Sequence, residues 1–244
     1  MNTYRLRILV LASGLALVLS SWLAPAATAG EDKRKHEDKQ HEDNHHGECD
    51  SSPLLATGQT APFTGGGATA VPDDGTLKVG SPLRYRDNGD GTITDLNTRL
   101  MWEKKSRDGG LHDVRTGFAW IVTPLTAAFP TIWEWLSDVN EEGGTGFAGY
   151  NDWRIPNLRE LQTIIDYGRV EPAVDPVFNN GPDTSCSVLE CSHTDRSFHW
   201  SSTSFALALG DPLVWILNFN FGFTSVWVTR TQFAVRAVRG GCLP

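Results

Sequence analysis

The chain has 244 residues, room for one or two domains, and carries a formal net charge of −8. That acidity weighs against a general role in binding nucleic acid, because an acidic surface repels phosphate backbones. No segment after residue 29 is long and apolar enough to span a membrane, which takes about 20 apolar residues.

The N-terminus has the grammar of a secretory leader. Arg5 and Arg7 make a short basic start, Ile8 to Leu19 is mostly apolar, and Ala27-Thr28-Ala29 is a small-x-small cleavage site before Gly30. Residues 1–29 are expected to be a signal peptide, the alternative being an uncleaved anchor. Export to the periplasm, the cell surface or the medium follows. The even number of cysteines, Cys49, Cys186, Cys191 and Cys242, fits disulfides in such a compartment. Three pairings are open. Cys186 and Cys191 are close enough in sequence to clip a loop, and Cys49 and Cys242 would then tie the two ends together. Residues 30–53 read as a disordered tether, since "EDKRKHEDKQHEDNHHGECD" (31–50) has nothing apolar to bury. His36, His41, His45 and His46 lie among its carboxylates. They suit weak binding of a transition metal, although their spacing fits no single rigid site and a solvated tether is the plainer alternative.

The folded domain is expected over 54–244, its first part a loop rich in Gly, Pro, Thr and Ala. "YRDNGDGTITD" (Tyr85 to Asp95) offers a choice between a calcium loop and a hairpin. An EF-hand numbering with Gly91 sixth puts Arg86 first, and one with Gly89 sixth puts Arg84 first. A cation defeats a first ligand position, so the stretch is read as a hairpin. Tyr85 then faces Ile93 across a three-residue Asn88-Gly89-Asp90 loop. Calcium held with help from side chains elsewhere stays open. Asp95 to Thr98 is a second turn, and "RLMWEKK" a third strand with Leu100 and Trp102 on one face. Residues 106–130 have no clear period.

Two helices follow. Thr131 with Glu134, and Asn157 with Glu160, are capping boxes. Ile132, Trp135, Leu136 and Val139 form the buried stripe of the first helix, which Gly143-Gly144 ends. Leu158, Leu161, Ile164 and Ile165 form that of the second, which Gly168 stops. Residues 169–198 make a loop long enough to imply a function. The tail, "HWSST", "LVWILNFN", "SVWVTR" and "QFAVRAVR", is β. The order predicts an α+β fold, two helices against one mostly antiparallel sheet.

Taken together, "TGQT" (57–60), "PDDGTLKVG" (72–80), "RYRDNGDGTITDLNTRLMWEKK" (84–105), "AGYNDWRIPNLRELQTIIDYGR" (148–169), "HWSST" (199–203) and "FAVRAVRGG" (233–241) resemble the DUF1566 family, the C-terminal domain of the Legionella collagen-like adhesin. The resemblance implies a C-type-lectin-like fold with the chain ends in one sheet. For the adhesin it implies binding of sulfated polysaccharides. This chain has no Gly-X-Y repeat, so the adhesin's stalk does not carry over, and its acidity argues against a strong sulfated-glycan site. "NDW" (151–153) and "IPN" (155–157) echo lectin calcium triplets only superficially, so no calcium-dependent sugar site is carried over.

Of the nine tryptophans, Trp102, Trp153 and Trp200 are assigned to the core. Trp215 and Trp227 lie on late strands, where this fold's binding face usually lies. Asn218 and Asn220 share one side of a strand whose other side holds Trp215, Leu217 and Phe219. Amides and exposed indoles together suit a glycan, and solvated strand polar groups are the alternative. Asp195, Arg196 and His199 end the long loop beside that strand. Arg154 and Arg236 are read as buried or half-buried ion-pair anchors, not ligand contacts. No GxSxG, HExxH or P-loop appears. The expectation is a non-enzymatic binding module for a glycan or a cell-surface protein, meeting it through residues 169–198 and the late strands, with no cofactor. A cell-envelope structural protein with a metal-gathering tether, and an oxidoreductase of the formylglycine-generating type, are the rivals.

Overall fold

The computed structural model describes residues 54–62, 72–121, 129–206 and 212–241. The leader, the tract with His36, His41, His45 and His46, and the proposed Cys49–Cys242 tie lie outside the described residues.

After a single capped turn, α1 (Asp74–Leu77), the chain forms β1 (Tyr85–Asp87), β2 (Thr92–Asp95) and β3 (Leu100–Glu103). Tyr85 stands opposite Asp95 and Asp87 opposite Ile93, so the β1–β2 register differs from the expected one by two residues. The loop is longer because its acids bond nearby backbone N–H groups and its amide bonds neighbouring hydroxyls. Asp87 Oδ1 accepts from the Gly89 N–H at 2.9 Å, and Asp90 Oδ1 from the Thr92 N–H at 3.0 Å. Asn88 Nδ2 donates to the hydroxyls of Thr92 and Thr94 at 2.8 and 2.9 Å. A shift of two leaves every side chain on its intended face, and Ile93 and Trp102, cross-strand partners, are fully buried.

Next come β4 (Phe118–Ala119), α2 (Ile132–Glu141) and α3 (Leu158–Gln162). Both capping boxes form as expected: Thr131 and Glu134 close one, Asn157 and Glu160 the other. Ile132, Trp135 and Val139 of α2 are buried, and Gly143 leaves the helix at φ +59°. The third helix stops well before Gly168. The Thr163 hydroxyl donates to the Glu160 carbonyl at 2.8 Å, and the backbone then turns outward to other partners. The Asp166 N–H reaches the Ala173 carbonyl at 3.0 Å and that of Tyr167 the Thr57 carbonyl at 2.7 Å. Ile164 and Ile165 are buried as expected, but in a turn and a bridge rather than on a helix.

The tail holds β5 (Phe198–Ser204), β6 (Leu213–Asn218), β7 (Phe223–Val228), β8 (Gln232–Phe233) and β9 (Val238–Gly240). Among the described residues all strand pairs are antiparallel and the fold is α+β, but the strands form three sheets, not one: β1-β2-β3-β9, β4-β8 and β5-β6-β7. The two ends of the described domain still meet, since Leu100 pairs with Gly240 and Trp102 with Val238. The layers separate at residues 234–237, whose backbone serves both. The Ala234 N–H donates to Phe198 and its carbonyl accepts from Trp200, at 3.1 and 3.0 Å. Three residues on, the Ala237 carbonyl accepts from the Glu103 N–H at 3.1 Å.

Two apolar cores flank this seam. One gathers Trp135, Trp153, Trp200, Val214 and Ile216; the other gathers Ile93, Trp102, Leu161, Phe178 and Phe219. Between them lies a buried charged network. Glu103, fully buried, accepts from Lys105 Nζ at 2.9 Å, pairs with His112 Nδ1 at 2.7 Å and accepts from the Ala237 N–H at 2.7 Å. Burial works against its ionised form, but the Lys105 charge and the His112 hydrogen bond hold its pKa down to about 2. His112 also reaches Glu142 at 3.0 Å. Burial would lower its pKa; the bond to Glu103 and that carboxylate's charge outweigh this and raise it. Arg236, expected in an ion pair, instead donates to three neutral groups: the Glu103 carbonyl at 2.7 Å, the His193 carbonyl at 2.5 Å and the Thr194 hydroxyl at 3.0 Å. Arg154 does form its pair, bidentate to Glu160 at 2.7 and 2.6 Å.

Truncating Glu103 strands Lys105 in the interior. Glu103→Ala should cost roughly 3–5 kcal/mol, read as a lower urea midpoint at unchanged m. The two titrations bound the pH range. Glu103, depressed from 4.5, contributes stability above pH 4.5 that is lost as pH falls toward about 2. His112, raised above 6.5, contributes stability present in full below pH 6.5 and lost as pH rises through its folded pKa. The difference in unfolding free energy between wild type and His112→Gln should therefore be largest between about pH 4.5 and 6.5 and shrink on the alkaline side, in denaturant titrations run across that range.

Candidate functional site

The 169–198 excursion is anchored at several points. Phe178 is fully buried and stacks edge-on against Tyr85 at 4.9 Å. Asn180 and Ser192 form a two-bond bridge at 2.7 and 3.2 Å. Cys186 and Cys191 are joined as a disulfide, as expected, with Cα atoms 6.1 Å apart. On the inner side the His193 N–H donates to the Lys105 carbonyl at 2.9 Å, and Arg236 grips His193 and Thr194 from the buried network.

Between this excursion and the 107–115 segment lies an open cavity of about 740 Å³. Its lining is polar: Arg107, Arg115 and Arg196, the amides Asn179, Asn180 and Asn220, and the carboxylates Asp183 and Asp195. Each arginine has an acidic neighbour: Asp183 at 3.2 Å from Arg107, Asp113 at 2.6 Å from Arg115, Glu171 at 4.0 Å from Arg196. The hydrogen bonds from Arg115 hold the Asp113 carboxyl far below its ordinary pKa. The side chains of Arg115 and Arg196 are nonetheless 63 % and 66 % exposed, which leaves guanidinium surface for a ligand. A smaller depression of about 160 Å³ shares Val114, Arg115, Asp195 and Ser197 with the cavity and continues to Gln232 and Phe233. Phe233 packs against Phe198 at 5.3 Å and Trp227 at 6.1 Å. Trp227 and Phe223 are 44 % and 46 % exposed. A polar hollow thus runs into an aromatic surface.

Three of the residues expected at a binding site lie along this track: Asp195 and Asn220 line the cavity, and Trp227 ends the aromatic surface. The other three lie elsewhere. Trp215 is half-buried, edge-on to Phe205 at 5.6 Å. Asn218 is not on an open sheet face. Val214 and Ile216, which share its side of β6, belong to one core, and Leu217, on the opposite side, to the other. Both faces of the strand are covered, as for a continuous apolar run, and Asn218 braces the β6–β7 turn by accepting from the Phe221 N–H at 3.2 Å. His199 is 1 % exposed and edge-on to Phe219 at 4.6 Å. Burial, with the nearby Arg236 charge, presses its pKa down to about 3, so it is neutral.

Arg107, Arg115, Asn179, Asn180 and His193 also line the cavity and are not among the residues that the sequence marks for a binding site. Arg107 and Arg115 come from the aperiodic 106–130 stretch; Arg107 meets the loop through a long-range bond from its N–H to the Cys186 carbonyl at 2.9 Å, and Arg115 is held beside it by Asp113 and the Arg107 carbonyl. No local signal marks them. The carboxylates of Tyr85–Asp95 are engaged by their own turns and by Lys104, whose Nζ lies 2.8 Å from Asp87. Among the described residues one group of metal-type donors lies together, Cys186, Cys191 and His193.

No curated protein and no solved structure matches the chain. A family model described as the Lcl C-terminal domain matches residues 91–239, a span holding β3, both capped helices, the whole excursion and the late strands up to β9. With more than half of its length matched, the chain belongs to the Lcl C-terminal domain family.

Proposed function

We propose that this chain is an exported, non-enzymatic binding module of C-type-lectin-like architecture whose ligand is a glycan. One observation carries the reading: the arginine- and amide-lined cavity adjoins a depression that ends at Phe233, which packs against the exposed Trp227. Amides and guanidinium groups hydrogen-bond sugar hydroxyls and acidic substituents, and an exposed indole stacks on the apolar face of a pyranose. Family membership fits an adhesin-type module, and the Cys186–Cys191 disulfide is compatible with an oxidising compartment. Although the chain is acidic as a whole, the side chains of Arg115 and Arg196 at the cavity stay more than half exposed, so guanidinium N–H groups are open to an acidic sugar. Burial of His199 and the turn role of Asn218 shift the proposed contacts to Arg196, Asp195, Asn220 and Trp227.

A glycan array tests this. Trp227→Ala and Arg196→Ala should each lower the apparent affinity of any positive glycan by about tenfold, or 1.4 kcal/mol, with thermal stability changed little. Undiminished signal in both variants would remove the cavity from the argument. Binding should also persist after calcium chelation, because the acids of the first hairpin are already bonded to the protein; loss of all signal in chelator would contradict that.

A further inference from the structure

We infer that Cys186, Cys191 and His193 form a thiolate–imidazole zinc site that becomes available when their disulfide is reduced. The proposal goes beyond the glycan reading and does not depend on it. The three donor atoms lie within 4.8 Å of one another, and all three residues are buried. His193 Nε2 stands 3.5 Å from Cys186 Sγ. Zinc–sulfur and zinc–nitrogen bonds of about 2.3 and 2.0–2.1 Å at tetrahedral angles put a sulfur and a nitrogen ligand about 3.5 Å apart. The imidazole is thus already at ligand distance, and only the two sulfurs have to part.

The disulfide is not what keeps the two cysteines adjacent. They flank one helical turn, in which the Cys191 N–H donates to the Ser187 carbonyl at 3.0 Å. Glu190 closes that turn by accepting from the Ser187 N–H and hydroxyl, both at 3.0 Å. The Arg107 N–H holds the Cys186 carbonyl at 2.9 Å, and the Asn180–Ser192 bridge pins the strand that leads to His193. The thiols therefore stay together after reduction. His193 is also held by its backbone, through Lys105 and Arg236, and its ring lines the 740 Å³ cavity, which gives a metal an entry route and a source for its fourth ligand. A cation entering by this route passes the Arg107 guanidinium, which lines the same cavity. Asp183 offsets the Arg107 charge at 3.2 Å. Two thiolates and an imidazole are soft and borderline donors, which select zinc over the harder, oxygen-seeking cations.

The chemistry balances with a dithiol reductant. The dithiol passes two electrons to the Cys186–Cys191 bond and becomes a disulfide itself, leaving two protein thiols. Zinc binding then releases the two thiol protons.

The test uses the full chain carrying Cys49→Ser and Cys242→Ser, so that only this pair can supply thiolate. Half is reduced with a dithiol and freed of it under inert gas, and both halves are titrated with Co²⁺, then Zn²⁺. The reduced protein should develop a thiolate-to-cobalt charge-transfer band, which the histidine tract cannot produce, and one equivalent of zinc should abolish it. The oxidised protein should give no such band. His193→Gln and His193→Asn should weaken cobalt binding at least tenfold. A reduced protein without the band overturns the proposal, and so do histidine variants that bind cobalt as well as the parent. The comparison of reduced with oxidised parent needs no histidine variant, so it stands even where that substitution disturbs folding.

Discussion

A single buried carboxylate organises this domain. Glu103 ends β3, and its side chain binds Lys105 just beyond that strand, His112 from the following loop and the Ala237 N–H from the chain that leads into β9. Its backbone carbonyl receives Arg236. A charge with no access to water is tolerable only when both of its oxygens find donors. Glu103 meets that condition by drawing together three stretches of chain that no apolar contact would bring into such fixed register. Lys105 in turn lies over the Trp135 ring, 4.7 Å from its centre, which ties the polar network to the core beneath α2.

The cavity is a consequence of that network. Arg236 spans the distance from Glu103 to the inner wall of the excursion, where it holds the His193 carbonyl and the Thr194 hydroxyl. Thr194 passes the connection on to the Phe178 carbonyl at 2.8 Å. The wall therefore rests on hydrogen bonds that begin in the sheet, and the guanidinium groups at the mouth face water from a scaffold with little freedom. Rigid support beneath a polar opening is the arrangement a binding surface needs, because less ordering entropy is lost when a ligand arrives.

What can be read from the sequence is local. Thr131 with Glu134 and Asn157 with Glu160 announce two helix starts because a capping box is written within four residues. Trp102, Trp153 and Trp200 are core residues because large apolar side chains have few other places to go. Cys186 and Cys191 are near enough in the chain to suggest their bond. Expectation and structure part where a distant group decides. The β1–β2 register moves because Asp87 and Asp90 bond nearby backbone N–H groups and Asn88 bonds the hydroxyls of Thr92 and Thr94. The third helix ends early because Thr57 and Ala173 compete for the N–H groups that would continue it. Asn218 falls where strand alternation puts it, but alternation cannot reveal that a core covers each side of β6. Arg107 and Arg115 sit in a stretch with no periodicity, and only the folded chain brings them opposite Asn180.

The anchoring of the excursion also separates what is fixed from what is free. Its ends are held by Phe178, the Asn180–Ser192 bridge and Arg236, while Pro182 to Ser185 are exposed between them. Gly181 marks the border: at φ +96°, with any added Cβ falling 2.4 Å from that of Cys191, it admits no side chain. Beyond that glycine the exposed side chains of Pro182, Thr184 and Ser185 can be recoded at little cost to the interior, while Asp183 stays tied to Arg107. A fold with one such replaceable fingertip over a constant palm can diversify what it grips while keeping the same hand.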